Sequence, residues 1–275
     1  MTLQYHLFGA RPARQPLVVA YGLGVDSSAM LIGLAQRGIR PDLILFADTG
    51  GEKPETYLYA PIMQAWLRDA SFPQFEVVRY QPPVAPYDSL YGNCWENETL
   101  PSLAFGRKSC SLKWKREPQD RRVRRWAPAL ETWHAGMKVR KLIGFEAGEE
   151  RRRYGDQGDD PQYDYWYPLM DWGWDRAACE RVIAEAGLPV PVKSACYYCP
   201  ASKKPELVEL GSKHPDLYAR AVRLEDRYRA GRHFRAGGQR STEGLGRRFA
   251  WREHGEAAGL IRPAAKPNEG RLFAC

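Results

Sequence analysis

The sequence predicts an α/β protein: a parallel sheet of about five strands with helices on both faces, followed by a mainly helical or irregular C-terminal appendage. Three observations carry this expectation. Residues 17–21 (Leu-Val-Val-Ala-Tyr) and 42–47 (Asp-Leu-Ile-Leu-Phe-Ala) are short apolar runs separated by one helix-length segment. Two strands joined by one short helix make a β-α-β unit, whose strands are parallel. Further apolar runs at 75–80 and 139–145 continue the alternation, and residues 165–169 read as a last short strand. From residue 205 onward helical patterning takes over, and beyond Gly231 the chain is rich in Gly and Arg with little periodicity except over 244–254. The expected division is therefore an α/β domain at 1–204 and an extension at 205–275.

Residues 1–15 read as an arm leading into the first strand. That strand ends in Tyr21-Gly22-Leu23-Gly24-Val25-Asp26-Ser27-Ser28, a glycine-bearing turn that opens a helix over 27–37, closed by Gly38. Such a turn leaves backbone N–H groups pointing outward at a helix N-terminus, where the dipole favours an anion. Gly22 and Gly24 let the backbone approach that anion closely. Ser27 and Ser28 add hydroxyl donors, and Asp26 either assists Mg²⁺ or caps the helix. No lysine precedes the serines and no Gly-x-Gly-x-x-Gly is present, so neither common phosphate-loop signature applies. An ordinary capped strand-turn-helix is the plain alternative.

The second strand runs into Asp48-Thr49-Gly50-Gly51-Glu52-Lys53-Pro54-Glu55-Thr56. Both loops fall at the carboxyl edge of the sheet, where ligands of parallel sheets collect. Glu52 and Glu55 also suit the first turn of a helix over 54–68. Residues 81–101, with their Pro, Gly and Asn, read as a substrate-side loop, and 120–130 as a basic helix. Asp175 is placed to cap a helix that ends at Ala186, and residues 205–230 read as one or two helices broken near His214-Pro215.

Composition narrows the partners. The 275 residues carry 41 Lys and Arg against 33 Asp and Glu, a net +8. Between Arg107 and Arg125 nine basic residues face two acids, a local +7. A field of this kind suits nucleotide phosphates or a nucleic-acid backbone such as tRNA or DNA, although a solvated helix face accounts equally well for the arginines from Arg121 onward. No apolar run approaches membrane-spanning length and no secretion signal is evident, so the expectation is a cytoplasmic protein without a membrane partner. Six cysteines in that setting favour metal or redox chemistry over a disulfide framework. Cys196-x-x-Cys199 can bring two thiolates to one metal or cluster, whereas Cys179 sits in a helix and reads as inert.

The turn after the first strand resembles the pyrophosphate-binding PP-loop of the adenine nucleotide alpha hydrolases, written Ser-Gly-Gly-x-Asp-Ser. Gly22 and Leu23 stand where that pattern has Ser and Gly, and Gly24, Val25, Asp26 and Ser27 fit it. The Ala47-Asp48-Thr49-Gly50 loop with Glu52-x-Pro54-Glu55-Thr56 is similar to the phosphoadenosine phosphosulfate reductase-like branch of that superfamily. So are the Arg107-x-x-Cys110-Ser111-x-Lys113 stretch, the strand ending at Gly144 with arginines after it, and Ser194-x-Cys196-x-x-Cys199-Pro200. The resemblance covers about residues 17–204 and implies a HUP or Rossmann-like fold.

It also implies roles. Phe46 and Ala47 would meet the adenine, and Asp48, Thr49 and Gly50 would line the nucleotide pocket. Arg107 and Lys113 would approach phosphates, and Arg151 or Arg152 would clamp one bidentately. Asp26, Ser27, Lys113 and Arg151 are the expected catalytic residues of a reaction in which ATP with Mg²⁺ is cut to AMP and pyrophosphate while a substrate is adenylated. Cys110 would join Cys196 and Cys199 around a metal, either a 4Fe-4S cluster or zinc, with Cys94 as a candidate fourth ligand; a bare dithiol is the third option. The expected function is an ATP pyrophosphatase serving sulfur transfer or nucleic-acid modification. Alternatives are a sulfonucleotide reductase, for which only Cys275 offers a free catalytic thiol, and a non-catalytic nucleic-acid-binding subunit. A homodimer is one option for its assembly.

Overall fold

The computed structural model of the protein describes residues 14–84, 86–107, 109–149, 160–231 and 242–263. Its centre is a five-stranded parallel sheet made of β1 (Leu17–Tyr21), β2 (Leu43–Ala47), β3 (Glu76–Val78), β4 (Val139–Ile143) and β5 (Tyr163–Trp166), in the order β3-β2-β1-β4-β5. The strand order reverses direction between β1 and β4, so the loops that follow these two strands diverge and leave a crevice at their carboxyl ends. β2 is buried at every position, as a central parallel strand covered on both faces must be.

Two cores explain why helices lie on both faces. On one side α1 (Val25–Gln36) and α2 (Pro54–Asp69) pack with the sheet through Met30, Leu31, Tyr59 and Met63, joined by Cys179, Val182 and Ile183 of α8 (Arg176–Glu185). α1 is buried over nearly all its length because it is covered both by the sheet and by α8. Asp175 caps α8 as its sequence suggests, its carboxylate accepting from the Ala178 N–H at 2.8 Å. Burial pushes the Cys179 thiol up to about 12, which leaves it unreactive. On the other side Val18, Leu43, Leu45, Val139 and Tyr163 meet Val123 of α5 (Glu117–Val123) and Ala129 of α6 (Ala127–His134).

Three expectations change. The supposed loop over 81–101 contains a helix, α3 (Leu90–Glu96). The basic helix expected over 120–130 is two helices, because Trp126 is extended and Pro128 restarts the chain near the N-terminus of α6. The last strand lies earlier, at Tyr163–Trp166, since Pro168 opens a helical turn, α7 (Pro168–Asp171). Between α3 and α5 the chain forms a short turn, α4 (Ser109–Ser111), that continues as a π-helical stretch, Leu112–Arg116.

The β4 side chain of Lys141 is 3% exposed, and its Nζ donates to Asp120 of α5 at 2.6 Å. Burial lowers the Lys141 pKa while Asp120 holds it up. Removing the carboxylate leaves a buried cation alone, so Asp120→Ala is expected to cost about 3–5 kcal/mol, measured by urea denaturation, whereas the double change Asp120→Ala with Lys141→Met should restore most of it.

The chain divides into two compact units. The first comprises residues 1–90 and 110–196, and holds the sheet. The second comprises residues 91–109 and 197–275. It therefore begins before the expected boundary at 204 and takes in a stretch from the middle of the sequence. That stretch belongs there because Tyr91 Oη donates to the Arg220 carbonyl (3.2 Å), Arg227 Nε donates to the Trp95 carbonyl (2.6 Å) and Phe105 meets Tyr228 edge-on. The unit's helices are α9 (Lys204–Lys213), α10 (Pro215–Ala230) and α11 (Trp251–Ala257), with Tyr218, Leu224, Tyr228 and Trp251 fully buried among them. Among the described residues no helix is long and apolar enough to cross a membrane.

Candidate functional site

The loop after β1 is built so that its side chains serve the core and its backbone faces outward. Tyr21, Leu23, Val25 and Ser28 are all buried, and the Tyr21 and Ser28 hydroxyls lie 3.0 Å apart. Ser28 is thus an internal hydrogen-bonding group rather than a ligand donor. Ser27 Oγ accepts from the Gly22 N–H (3.2 Å) and donates to the Gly24 carbonyl (3.3 Å), which ties the loop to itself. Among the described residues, the amides of residues 23–27 find no acceptor. Five successive N–H groups at the start of α1 without acceptors are donors suited to an anion.

Leu23 has a φ of 54°, in the left-handed region. It occupies the place where the PP-loop pattern has glycine, and its side chain is 1% exposed. The left-handed backbone costs about 1–2 kcal/mol in a non-glycine residue, and burying leucine returns about 1.5–3 kcal/mol. Leu23→Gly is therefore expected to lower stability by only about 1 kcal/mol while leaving anion affinity intact, as read by urea denaturation and calorimetric titration.

Gly144, immediately after β4, closes the crevice from the other side. A Cβ there would sit 2.9 Å from Ser27 Cα and 3.0 Å from Ser27 N. Only a glycine lets β4 end against the loop. Gly24 is similarly close to Ser194, at 3.2 Å from its Cβ. Asp26 accepts from Arg176 of α8 at 2.9 Å. Burial pushes the Asp26 carboxyl up, and Arg176 offsets part of that rise.

The loop after β2 is organised around Asp48. This buried carboxylate accepts from the Gly50 N–H (2.8 Å), from Tyr57 Oη (2.8 Å) and from Arg79 through Nε (3.0 Å) and Nη2 (2.5 Å). Asp48 therefore holds the loop's shape instead of pointing at a ligand. Burial and the neighbouring Asp48 both push the Tyr57 hydroxyl up. Phe46 likewise turns into the core, edge-on to Phe75, so an adenine reaching this edge would meet its main chain only. Thr49 is buried, its hydroxyl donating to Glu52 Oε1 (3.2 Å) and lying 3.0 Å from Cys196 Sγ. Gly50, at φ 75°, brings the loop within 2.8 Å of Ser89 Cβ at the position a side chain would take.

Segment 193–196 runs beside this loop. Lys53 N–H donates to the Ala195 carbonyl (3.3 Å), and Glu52 bridges Cys196. The Glu52 side chain is wholly buried and pairs with Lys115 at 3.1 Å, while its Oε2 has no hydrogen-bond partner among the described residues. Of the expected metal ligands, Cys110 and Cys196 belong to the first unit and Cys199 to the second, as does Cys94. Cys196 is engaged with Thr49 and Glu52, and among the described residues no three His, Cys, Asp or Glu side chains converge as a metal site.

The basic stretch is partly neutralised in space. Lys115 pairs with Glu52, Arg116 with Asp120 and Asp160, Arg121 with Glu117 and Arg122 with Glu76. Glu52, Glu76 and Asp160 come from outside the stretch, so its local charge falls from +7 to +4. Lys113 remains exposed, with Nζ 5.0 Å from the Tyr80 ring centre. Arg107 belongs to the second unit. Arg151, Arg152, Lys108 and Cys275 lie outside the described residues.

Arg79 and Arg176 were not singled out by sequence, and Lys115 and Ser194 were noted only within the basic run and the Ser194-x-Cys196 motif. Arg79 closes the β3 apolar run at the carboxyl edge, and that position was the one available signal. A scan of protein-family models and a search of curated proteins returned no match to this chain.

Proposed function

We propose that the protein is an ATP pyrophosphatase that adenylates an acceptor. The observation that carries this reading is the run of unpartnered amides over residues 23–27, set at the crevice between β1 and β4 and approached by Gly144. A polyphosphate bound there would have its leaving charge met by fixed dipoles that need no reorganisation. An acceptor oxygen would attack the α-phosphorus, the bond from that phosphorus to the bridging oxygen would break, and pyrophosphate would depart with its electron pair. AMP would stay on the acceptor, ready for displacement by a sulfur or other nucleophile.

Asp26 fits a role beside Mg²⁺: its carboxylate is 24% exposed, and Arg176 engages one of its oxygens. The ion, when bound, supplies charge neutralisation for the polyphosphate. Arg176 fixes the direction of Asp26, and Lys113 is free to swing toward a phosphate from its exposed position. The cysteine pattern keeps an iron-sulfur or zinc assignment in this proposal, to be decided by elemental analysis and visible absorbance of anaerobically purified protein.

Incubation with ATP, Mg²⁺ and candidate acceptors is expected to yield AMP and pyrophosphate. ADP and phosphate as products would refute the assignment. Sulfite released from a sulfonucleotide would favour the reductase alternative, and calorimetry showing no ATP binding would favour a non-catalytic subunit.

A further inference from the structure

The two units share the positive charge unequally. The second carries eighteen Lys and Arg against eleven Asp and Glu, +7 of the total +8, whereas the first has twenty-three against twenty-two. The basic stretch at 107–125, which drew attention in the sequence, pairs four of its nine cations with acids and keeps a local +4. A polyanion is therefore attracted chiefly to the second unit.

That unit has a cleft of about 760 Å³ lined by Lys204, Arg229, Phe249, Glu253 and His254. Phe249 is half-buried, and the exposed Lys204 sets its Nζ 5.3 Å from the ring centre. Arg229 pairs with Glu253 at 2.6 Å through one Nη, so the two charges offset each other and the remaining guanidinium N–H groups are left for a phosphate oxygen. His254 stands edge-on to Phe249 with ring centres 5.9 Å apart, and its Nε2 is buried without a hydrogen-bond partner among the described residues. Exposed Glu243 also lines the cleft, outnumbered by Lys204 and by Arg247 and Arg248, the exposed residues just before Phe249.

We propose that this cleft docks single-stranded nucleic acid, one base stacking on Phe249 while adjacent phosphates meet Lys204, Arg229 and Arg248. An aromatic face set among cations is the combination that holds unpaired strands, because every base offers a π-face and every linkage a charge. A duplex keeps its bases stacked inside and cannot use Phe249.

The test is fluorescence anisotropy of the full chain with a labelled single strand of about ten nucleotides, without ATP or Mg²⁺, over a series of salt concentrations. Because no nucleoside triphosphate is present, the result stands or fails apart from the pyrophosphatase reading. Salt-dependent binding that prefers single strand to duplex is expected. Phe249→Ala should weaken it by roughly tenfold or more, and Phe249→Leu, which keeps the bulk without the π-face, should do nearly the same. Lys204→Gln should lower the salt slope by about one. Equal binding of duplex or polyglutamate would overturn the proposal, as would wild-type affinity in both Phe249 variants. A greater loss from Lys113→Ala than from either Phe249 variant would also overturn it, moving the interface to the first unit.

Discussion

Replacing Gly144 with valine is expected to abolish ATP binding and to destabilise the first unit by about 1–3 kcal/mol. A Cβ at this position meets main-chain atoms of Ser27 at 2.9 and 3.0 Å, and main chain cannot swing aside as a flexible side chain can. Either β4 or the loop after β1 must move. If the loop moves, the amides of residues 23–27 are displaced with it, and an anion held by them loses donors. Gly144→Ala is the milder probe: it should weaken ATP binding by more than it lowers thermal stability. Calorimetric titration beside thermal unfolding reads both. Wild-type affinity in Gly144→Val would mean that the polyphosphate does not sit on this loop.

Glu225→Ala is expected to lower stability by on the order of 3–5 kcal/mol, confined to the second unit and matching what Asp120→Ala costs the first. Glu225 of α10 is fully buried, and its Oε2 accepts from the N–H groups of Leu245 (2.7 Å) and Trp251 (2.9 Å) while Oε1 accepts from Arg252 (2.9 Å). Two of these donors open α11, so one carboxylate caps that helix from a different helix and also pins the chain leading into it. Gly244 makes room for it: a Cβ there would fall 2.2 Å from Oε2. Truncation to alanine leaves three buried donors without acceptors. Glu225→Gln keeps an oxygen for two of them and turns an NH₂ toward the third, so its loss should be smaller. Hydrogen exchange at Leu245, Trp251 and Arg252 should accelerate in both variants.

The same residue gives the second unit a pH dependence. Burial pushes the Glu225 carboxyl up from the ordinary carboxylate range, against the pull of the three amides. The folded state then holds the proton more tightly than the unfolded chain does. Its contribution is fully present below the ordinary glutamate pKa and is lost as pH rises through the raised value. Glu225→Gln should flatten that part of the stability profile.

The sheet was readable in the sequence because its signals are local. Apolar runs at 17–21 and 43–47, a helix between them, Asp175 at a cap and the break at His214 each depend on a few neighbouring residues. The candidate site was readable only in its backbone. That the turn after β1 would present amides follows from strand, glycine and helix in succession. The destinations of its side chains do not. Tyr21 and Ser28 pair with each other inside the core, Phe46 turns toward Phe75, and Asp48 is claimed by Arg79 from another strand. Nor could the local +7 be discounted from sequence, since Glu76 and Asp160 approach it from positions far along the chain. Leu23 shows a third case: a glycine position of the motif is kept left-handed by a leucine whose burial compensates the backbone.

The second unit also draws on two stretches of chain separated by most of a domain, residues 91–109 and 197–275. The polypeptide accordingly passes from one unit to the other at three places, after residues 90, 109 and 196. Ending translation at residue 196 or 204 would not deliver a clean first unit, because α3 and its neighbours would be left without the Arg220 and Arg227 contacts that hold them. Separating the pieces by genetics would instead require excising 91–109 with a short bridge in its place, and a nonsense mutation before residue 220 should expose apolar surface near Trp95 and Phe105 to cellular proteases.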